Sequence, residues 1–561
     1  MNALVPIPVA LPVLGAGLAL ALVRRPSAQR VVTVVVLVAM LGVSLGLLLA
    51  TSNGHPLAVW VGGWQPPLGI SLVSDRVSSL MLVVSAAVAL AVLIYSIGQN
   101  MVDDDEDAPV SIYHPTFLIL VAGVANAFLT GDLFNLFVSF EMLLFASYVL
   151  LTLGGTEGRI QAGTIYVVVN MLSSALFLIS ISMIYAATGT VNMAQLSQRL
   201  AELPDSTALL LQVMLLTTFG IKAAIFPLCF WLPDSYPTAP APVTAVFAGL
   251  LTKVGVYAIL RTQTLLFPDS PLTTPLLWVA ALTMLFGILG AIAQSDLKRM
   301  LSFTLVSHIG FLIFGIALMT PAGLSSAVFY IAHHITIQTV LFLVLGLLER
   351  VTGTTSLSRL GGMAKLFPLI AVLFFVPAMN LAGIPPFSGF LGKIGLISAG
   401  LDHGSSAAYM VVGASVVTSL LTLYVISRCW ALAFWRTPSQ AQEMAVALVT
   451  AAQSDRQYRR LETVPVTTRA IDTQALQVAR ERITELEESG SSKVGVLQRE
   501  LERRADRPFP GTMVGATLAL LALSVLISVI AGPMYAYTDH AALDLLDPGV
   551  YISAVFGGSA P

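Results

Sequence analysis

Long runs of apolar residues recur along most of this 561-residue chain and are separated by charges, Gly/Pro clusters or polar turns. An α-helix needs about 20 mostly apolar residues to cross the hydrocarbon core of a bilayer. Most of the runs reach that length, so the pattern predicts an all-α polytopic membrane protein. We predict about fourteen transmembrane spans, numbered in chain order: 2–23, 29–51, 74–97, 115–130, 132–153, 161–188, 206–230, 239–261, 274–294, 300–319, 325–348, 367–399, 407–435 and 511–532.

Two segments depart from this pattern. Between spans 2 and 3, "TSNGHPLAVWVGGWQPPLGI" is rich in aromatic residues, glycine and proline, which predicts an interfacial hairpin or loop. Between spans 13 and 14, residues 437–510 are densely charged, with Leu, Val and Ile at the three- or four-residue spacing of an amphipathic helix. We interpret 437–510 as a cytoplasmic helical insert that either packs on its own subunit or binds a partner subunit.

Composition supports the membrane assignment and excludes several classes of function. The chain is 56% hydrophobic and 10% charged, with a mean hydropathy of +0.86, whereas soluble domains carry about 25% charged residues. The net charge of −2 gives no reason to expect nucleic-acid binding. Cys229 and Cys429 form no CxxC motif, and the sequence shows no phosphate-binding loop, metal-ligand set or nucleophile–base pair. We therefore predict neither a cofactor nor an enzyme.

The positive charges of the short loops predict the orientation, since Lys and Arg accumulate on the cytoplasmic side of a membrane. Loops that follow odd-numbered spans carry nearly all of them: Arg24, Arg25, Arg30, Arg159, Lys298, Arg299, Arg350, Arg359 and Lys365. Both termini are therefore predicted to lie outside the cytoplasm, in a protein of the bacterial inner membrane. The acidic loop "NMVDDDEDAPVSIYH" would then be cytoplasmic, which the rule tolerates because acidic residues contribute little to it.

Four charged residues lie inside apolar runs, where each charge costs roughly 2.5–3.5 kcal/mol on insertion scales. The segment "TGDLFNLFVSFEMLLFASYVLL" has Glu141 at its centre, and Lys222, Lys253 and Lys393 occupy similar positions in spans 7, 8 and 12. Intramembrane charges of this kind often mark an ion path. The alternative interpretation is that they only hold helices together.

Three histidines also lie within the spans. His308 in span 10 is either a packing residue or part of a proton path. His333 and His334 are neighbours in span 11, which also carries Gln338, and adjacent residues on a helix point about 100° apart. We therefore expect at most one of the two to face an inner path.

Prolines predict that spans 7 and 12 are broken helices. Pro227 follows Lys222 by five residues, and Pro385 and Pro386 precede Lys393. Proline removes a helical hydrogen bond, and irregular backbone is tolerated at membrane depth where it is buried in protein or lines a wet cavity. The two breaks are five spans apart, as an inverted repeat of spans 4–8 and 9–13 requires.

These features divide the chain into five parts. We predict spans 1–3 in residues 1–110, a first five-helix repeat in 111–262 and a second in 274–436. The charged insert follows in 437–510, and span 14 with a tail occupies 511–561.

Four motifs resemble the antiporter-like, proton-translocating membrane subunits, a superfamily that includes the large membrane subunits of respiratory complex I. The motifs are "GDLFNLFVSFEMLLFASYVLL", "GIKAAIFPLCFWLPDSYPTAPAPVTAVFAGLLTKVGVYAILR", "SDLKRMLSFTLVSHIGF" and "IPPFSGFLGK". They occur in the expected order within residues 75–435. The variant "GDLFNLFVSFE" is most similar to the Mrp (multiple resistance and pH) cation/proton antiporters.

The resemblance implies a role for each buried charge. Glu141 corresponds to a glutamate of the fifth span, and Lys222 to the broken-helix lysine with which that glutamate pairs. Lys253 corresponds to a connecting lysine, and Lys393 to a terminal lysine beyond the second break. A buried lysine holds its proton while a carboxylate is close and releases it when the pair separates, so the Glu141–Lys222 pair is expected to work as a charge switch.

The resemblance also gives one of His333 and His334 the place of a family histidine, and we favour His334. Some relatives carry a lysine a few residues later, where this chain has Gln338. We therefore expect a water-bridged link at Gln338 instead of a charged one.

The implied function is proton translocation in a multisubunit sodium/proton antiporter, with other subunits supplying the cation path. The expected partners are those subunits, protons, sodium and membrane lipid. The nearest alternative is a proton-pumping subunit of complex I or of a membrane-bound hydrogenase, driven by electron transfer in partner subunits. A membrane scaffold is a third interpretation.

Overall fold

The computed structural model describes residues 1–99, 110–437, 440–441 and 509–557. The helices up to the first break are α1 (Ile7–Ala21), α2 (Pro26–Thr51), α3 (Arg76–Gln99), α4 (Val110–Leu129), α5 (Leu133–Thr152), α6 (Glu157–Thr188), α7 (Met193–Ala201) and α8 (Asp205–Ala223). The next are α9 (Trp231–Ser235), α10 (Ala241–Val246), α11 (Thr252–Leu265), α12 (Thr273–Ile292), α13 (Leu297–Ala317), α14 (Pro321–Thr352), α15 (Met363–Leu366) and α16 (Pro368–Ala382). The last are α17 (Ser388–His403), α18 (Ser406–Cys429), α19 (Gly511–Val529), α20 (Ala531–Leu546) and α21 (Pro548–Val555).

The predicted all-α membrane architecture is confirmed. In the described part of the chain, thirteen helices are long and apolar enough to cross a membrane, judged by length and composition. The difference from fourteen comes from predicted span 12, which is divided into α16 and α17, with 15 and 16 residues. The predicted insert, 437–510, lies almost wholly outside the described residues, as does most of the acidic loop.

The helix breaks predicted in spans 7 and 12 are both present. After α8, Ala224 takes a left-handed conformation with φ of 58°, and after α16, Gly383 does the same with φ of 84°. Two π-helical segments were not predicted: Phe247–Leu251, which separates α10 from α11, and Trp430–Trp435, which follows α18. Each interruption leaves backbone groups without their regular helical partners.

The centre of the bundle is α14. It packs against α3, α13, α16, α17, α19 and α20, and its most apolar stretch is buried throughout. In each of the outer helices α1 and α2, only 33% of the most apolar stretch is buried. Because α14 is surrounded on all sides, its polar side chains must find partners inside the bundle.

Glycines bring α12 and α13 into backbone contact. A Cβ atom on Gly287 of α12 would lie 2.3 Å from the backbone nitrogen of Ser307 in α13, and one on Gly310 would lie 2.7 Å from the carbonyl oxygen of Ala280. Small residues at helix interfaces are how membrane helices approach closely. The contact fixes α13 against its neighbour.

The connection between spans 2 and 3 forms a hairpin of two antiparallel strands, β1 (Leu57–Trp60) and β2 (Ser71–Ser74). The C-terminal helices fold back towards it. Trp60 Nε1 donates a hydrogen bond to the carbonyl oxygen of Val555 (3.0 Å), and Tyr535 of α20 stacks on Phe329 of α14 with 4.3 Å between ring centroids. The tail after span 14 therefore ties the hairpin to the central helix.

The two halves of the chain share local features at the same sequence spacing. α6 and α14 both contain 32 residues, and both end at a left-handed glycine, Gly189 or Gly353. Asp132 caps α5 and Asp296 caps α13, and each forms an isolated antiparallel bridge just beyond the long helix of its half. These correspondences favour the predicted repeat of spans 4–8 and 9–13, which stays a prediction.

Candidate functional site: buried lysines and histidines

Lys222 lies in the last turn of α8, directly before the first break. It is 7% exposed, and its Nζ donates to Ser174 Oγ (3.1 Å) and to the carbonyl oxygen of Asn170 (3.4 Å) in α6. The ammonium also lies 5.6 Å from the ring centroid of Phe140. A cation near a helix C-terminus is favoured by the helix dipole, so the end of α8 is suited to hold this lysine.

Glu141 lies on an outward face of α5. The same face carries Phe134, Val138 and Phe145, which are 46, 38 and 68% exposed. Glu141 is partly buried, and its Oε1 has no hydrogen-bond partner among the described residues. Among the described residues, no ion pair joins Glu141 to Lys222. The direct pair implied by the resemblance is therefore not formed in this structure.

Lys253 is fully buried and follows the π-helical segment Phe247–Leu251. Its Nζ donates to the carbonyl oxygen of Ala248 in that segment, at 2.5 Å. Gly255 brings α11 against the end of α8, because a Cβ atom there would lie 2.7 Å from the backbone nitrogen of Ala223. The irregular segment thus supplies an acceptor for an ammonium close to the first break.

Lys393 lies in α17, just beyond the second break. Its Nζ donates to the carbonyl oxygens of Leu381 and Ala382, both at 3.1 Å, at the end of α16. Gly383 permits this approach, because a Cβ atom there would lie 2.9 Å from Lys393 Cδ. The ammonium is also 5.1 Å from the ring centroid of Phe311. The last carbonyls of a helix lack helical donors and carry partial negative charge, so they solvate this cation.

The three histidines are fully buried. His308 and His334 lie within electrostatic range of both Lys253 and Lys393, and His333 lies within range of Lys393. The rings of His308 and His334 stack with centroids 5.2 Å apart and planes 6° apart. The imidazoles therefore form a cluster within electrostatic range of the lysines of both halves.

His333 faces the second break. Its Nδ1 lies 2.9 Å from Ser388 Oγ at the start of α17. We expected at most one of the adjacent histidines to face an inner path, but both belong to the buried cluster: His334 towards His308, and His333 towards Ser388. The two side chains point in different directions, but both reach buried polar groups, because α14 has polar neighbours on more than one side.

Gln338, where some relatives carry a lysine, forms a hydrogen bond through one end of its amide only. Its Nε2 donates to the carbonyl oxygen of Leu301 (2.9 Å), and its Oε1 is buried without a partner in the described residues. The structure thus fixes one end of the amide to α13.

Tyr330 was not among the residues predicted from sequence. Its Oη lies 2.7 Å from His308 Nδ1, and its ring stacks on His333 at 5.2 Å between centroids. It precedes His333 and His334 by three and four residues, and residues at these spacings are neighbours on a helix surface. This spacing is the sequence signal from which Tyr330 could have been predicted.

The polar residues of "GDLFNLFVSFE" face α4. Asn126 Nδ2 donates to Asn135 Oδ1 (3.1 Å) and to Ser139 Oγ (2.8 Å). In the link between α4 and α5, burial raises the pKa of the Asp132 carboxyl to about 6, against the lowering effect of backbone N–H donors. The motif therefore has two polar faces, one network towards α4 and Glu141 on the outward side.

Arg261 forms a buried ion pair that sequence reasoning also missed. Its Nη2 lies 2.5 Å from Asp75 Oδ2 and 3.1 Å from Tyr257 Oη, and the two charged side chains are 7 and 8% exposed. The pair joins α11 to the residue before α3. The pair between Arg299 and Asp234, at 2.7 Å, is different because its side chains are 46 and 56% exposed.

Fold and site together define a polytopic membrane protein with a series of buried titratable side chains placed at helix irregularities. The chain belongs to the NADH:quinone oxidoreductase/Mrp antiporter transmembrane family, whose model matches residues 130–422. The resemblance seen in the four motifs is therefore confirmed.

Comparison with individual proteins shows which members of the family this chain is similar to. The chain is 40% identical to the D-type subunit of the Na⁺/H⁺ antiporter of Alkalihalophilus pseudofirmus over 79% of this chain and 90% of that protein. It is also 40% identical to the corresponding D-type subunit of Bacillus subtilis, over 78% of this chain and 87% of that one. A chain of the solved Mrp complex from a Dietzia species is 32% identical, with a TM-score of 0.82 over 99% of this chain and 100% of that chain.

More distant structures share the fold. Respiratory complex I from Thermus thermophilus contains a chain that is 20% identical, with a TM-score of 0.72 over 97% of this chain and 100% of that chain. At this identity the likeness shows the architecture alone.

The two arginine pairs predict different costs of substitution. Arg261→Ala should destabilise the protein by roughly 3–5 kcal/mol, because it leaves Asp75 buried and unpaired. Arg299→Ala should cost only about 0–1 kcal/mol, because that pair is solvent-exposed. Thermal unfolding of both variants in the same detergent should show the lower midpoint for Arg261→Ala. Equal midpoints would contradict the structural role assigned to the buried pair.

Proposed function

We propose that this chain is a proton-translocating subunit of a multisubunit sodium/proton antiporter. The observation that carries the proposal is the set of three buried lysines, each bonded to a backbone carbonyl and lying beside a break, a π-helical segment or both. The names of the similar proteins, which are subunits of Na⁺/H⁺ antiporters, support the coupled ions. The chain is a transporter component and no covalent chemistry is required of it.

The proposed path runs from Lys222 through Lys253 and the histidine cluster to Lys393. A lysine can carry a proton because its charge depends on its surroundings, whereas arginine stays charged. Glu141 acts as the switch: Lys222 keeps its proton while the carboxylate is near and passes it on when the two separate. In this structure Lys222 donates to Ser174 instead of forming a direct ion pair with Glu141, and Glu141 lies within electrostatic range of it.

The partly buried position of Glu141, on the outward apolar face of α5, supports the assignment of partner subunits. A carboxylate on an apolar, outward face at membrane depth is costly against lipid. A neighbouring subunit that covers Phe134, Val138 and Phe145 would remove Glu141 from lipid. The Mrp complex that contains the similar Dietzia chain is a multisubunit assembly by its name, which agrees with this proposal.

The domain division also belongs to the proposal. We assign 111–262 and 274–436 to two inverted five-helix repeats, each contributing one broken helix and one lysine beside it. From residues 1–110 and 511–561, the helices α3, α19 and α20 pack against α14 from outside the repeats. The segment 437–510 keeps its sequence-based assignment as a cytoplasmic insert.

Lys222→Arg tests the proton carrier. The substitution keeps the positive charge and N–H donors at this position, so a lysine that only holds helices together would tolerate it. A guanidinium cannot release its proton at accessible pH, so transport should stop. The measurement is the sodium-driven pH change in everted vesicles from cells that express the complete complex, with membrane levels checked by immunoblot.

The control for this variant is Lys365→Arg, an exposed lysine that should tolerate the exchange without loss of transport. A Lys222→Arg complex with normal level and normal transport would show that Lys222 carries no proton. Glu141→Ala should also lose most activity, and the double variant Glu141→Ala/Lys222→Ala should be no worse than Lys222→Ala alone, because members of one functional unit are not additive.

The proposed orientation puts the loop at Ser52 outside and the loop at Glu157 in the cytoplasm. Both residues are exposed, whereas the native Cys229 and Cys429 are buried. A cysteine introduced at Ser52 should therefore react with an impermeant thiol reagent added to intact cells. A cysteine at Glu157 should react only after the cells are opened. The reverse pattern would invert the assigned topology.

A further inference from the structure

His308 is held at one ring nitrogen only. Its Nδ1 lies 2.7 Å from Tyr330 Oη, whereas its Nε2 is buried without a hydrogen-bond partner among the described residues. A hydrogen bond at one nitrogen of an imidazole decides which nitrogen carries the proton and how the ring is oriented. The hydroxyl of Tyr330 therefore occupies Nδ1 and orients the ring, which leaves Nε2 as the nitrogen without a partner in the described residues.

Tyr330 is itself fixed from the opposite side. A Cβ atom on Gly392 would lie 2.6 Å from Tyr330 Cδ2, so α17 packs its backbone on the phenol ring one residue before Lys393. The ring also contacts Phe311, at 5.8 Å between centroids. Tyr330 is fully buried, so its hydroxyl cannot turn to solvent and stays directed at His308.

The stacked arrangement makes this constraint relevant to His334. The rings of His308 and His334 are parallel to within 6°, and both ring nitrogens of His334 lack a partner in the described part of the chain. Fixing Nδ1 of His308 leaves Nε2 as the nitrogen that is free to exchange a proton. Neither Glu141 nor Lys222 contributes to this geometry.

We propose that Tyr330 is a positioning residue for proton transfer at His308. Its hydroxyl binds Nδ1 of His308, so proton exchange with the rest of the buried cluster takes place at Nε2. The inference rests on the proposed function, because it assigns a role within that proton path.

The test is Tyr330→Phe in the complete complex, which removes the hydroxyl and keeps the ring that packs on Gly392. For metal-binding histidines, loss of the partner that fixes the tautomer and orientation typically costs roughly 10–100-fold in metal affinity or activity, and we use that range as the scale here. We expect the maximal rate of sodium-driven proton movement to fall about 10-fold, the lower end of that range. The sodium concentration for half-maximal rate should stay unchanged, because the proposed function assigns the cation path to other subunits.

Tyr95→Phe is the matched control. Tyr95 is also a fully buried tyrosine packed on α14, and its Oη donates to the carbonyl oxygen of Leu343 (3.0 Å), not to a titratable group. The control should transport at close to the wild-type rate. An equal loss in both variants would mean that a missing buried hydroxyl, and not the contact with His308, causes the defect.

A double variant separates positioning from an independent effect. If Tyr330 acts through His308, then His308→Gln/Tyr330→Phe should transport no more slowly than His308→Gln alone. Full activity of Tyr330→Phe, full activity of His308→Gln, or a double variant whose loss multiplies the two single losses would each overturn the inference. If the wild-type complex itself moves no protons in response to sodium, the proposed function fails instead, so the two failures are distinguishable.

Discussion

An ammonium group buried at membrane depth must have acceptors, and this requirement organises the structure. A regular helix uses most of its carbonyl oxygens in its own hydrogen bonds, so it offers fewer acceptors than a helix end or an irregular segment does. The chain provides them by interrupting helices: Lys393 binds the last carbonyls of α16, and Lys253 binds a carbonyl in the π-helical segment. Lys222 sits at the end of α8 and reaches across to α6. The interruptions therefore supply the acceptors of Lys253 and Lys393, whereas Lys222 finds its acceptors on the neighbouring helix α6.

The same requirement explains where the glycines lie. Gly383 gives Lys393 room to approach the end of α16, and Gly255 lets α11 lie against the end of α8. Gly392 lets α17 press on Tyr330. Each glycine permits a contact that a side chain would block, so the path depends on backbone approach as much as on the titratable groups. α14, enclosed on all sides, carries His333 and His334 at the centre, and its neighbour α13 carries His308.

Much of this could be predicted from the sequence, since apolar runs, intramembrane charges and prolines are local signals. The spans, the broken helices near Pro227 and Pro386, and the family followed from them. The partners of the charges did not, because hydrogen bonds such as Lys222–Ser174 join residues far apart in the chain. The π-helical segment before Lys253 contains no proline from which it could have been predicted. The placement of both His333 and His334 in one cluster depends on what surrounds α14, which periodicity alone does not contain.

Substitution of Lys253 tests the central claim most directly, because this lysine lies beside the first break and within electrostatic range of the histidines. Lys253→Leu removes the charge from a fully buried position and keeps an apolar side chain there, so the complex should still assemble. The measurement is sodium-driven proton movement in vesicles that contain the whole complex, normalised to its membrane level. The account predicts that proton movement is lost. Transport at the wild-type rate would contradict it, because protons would then cross without the lysine that joins the two halves.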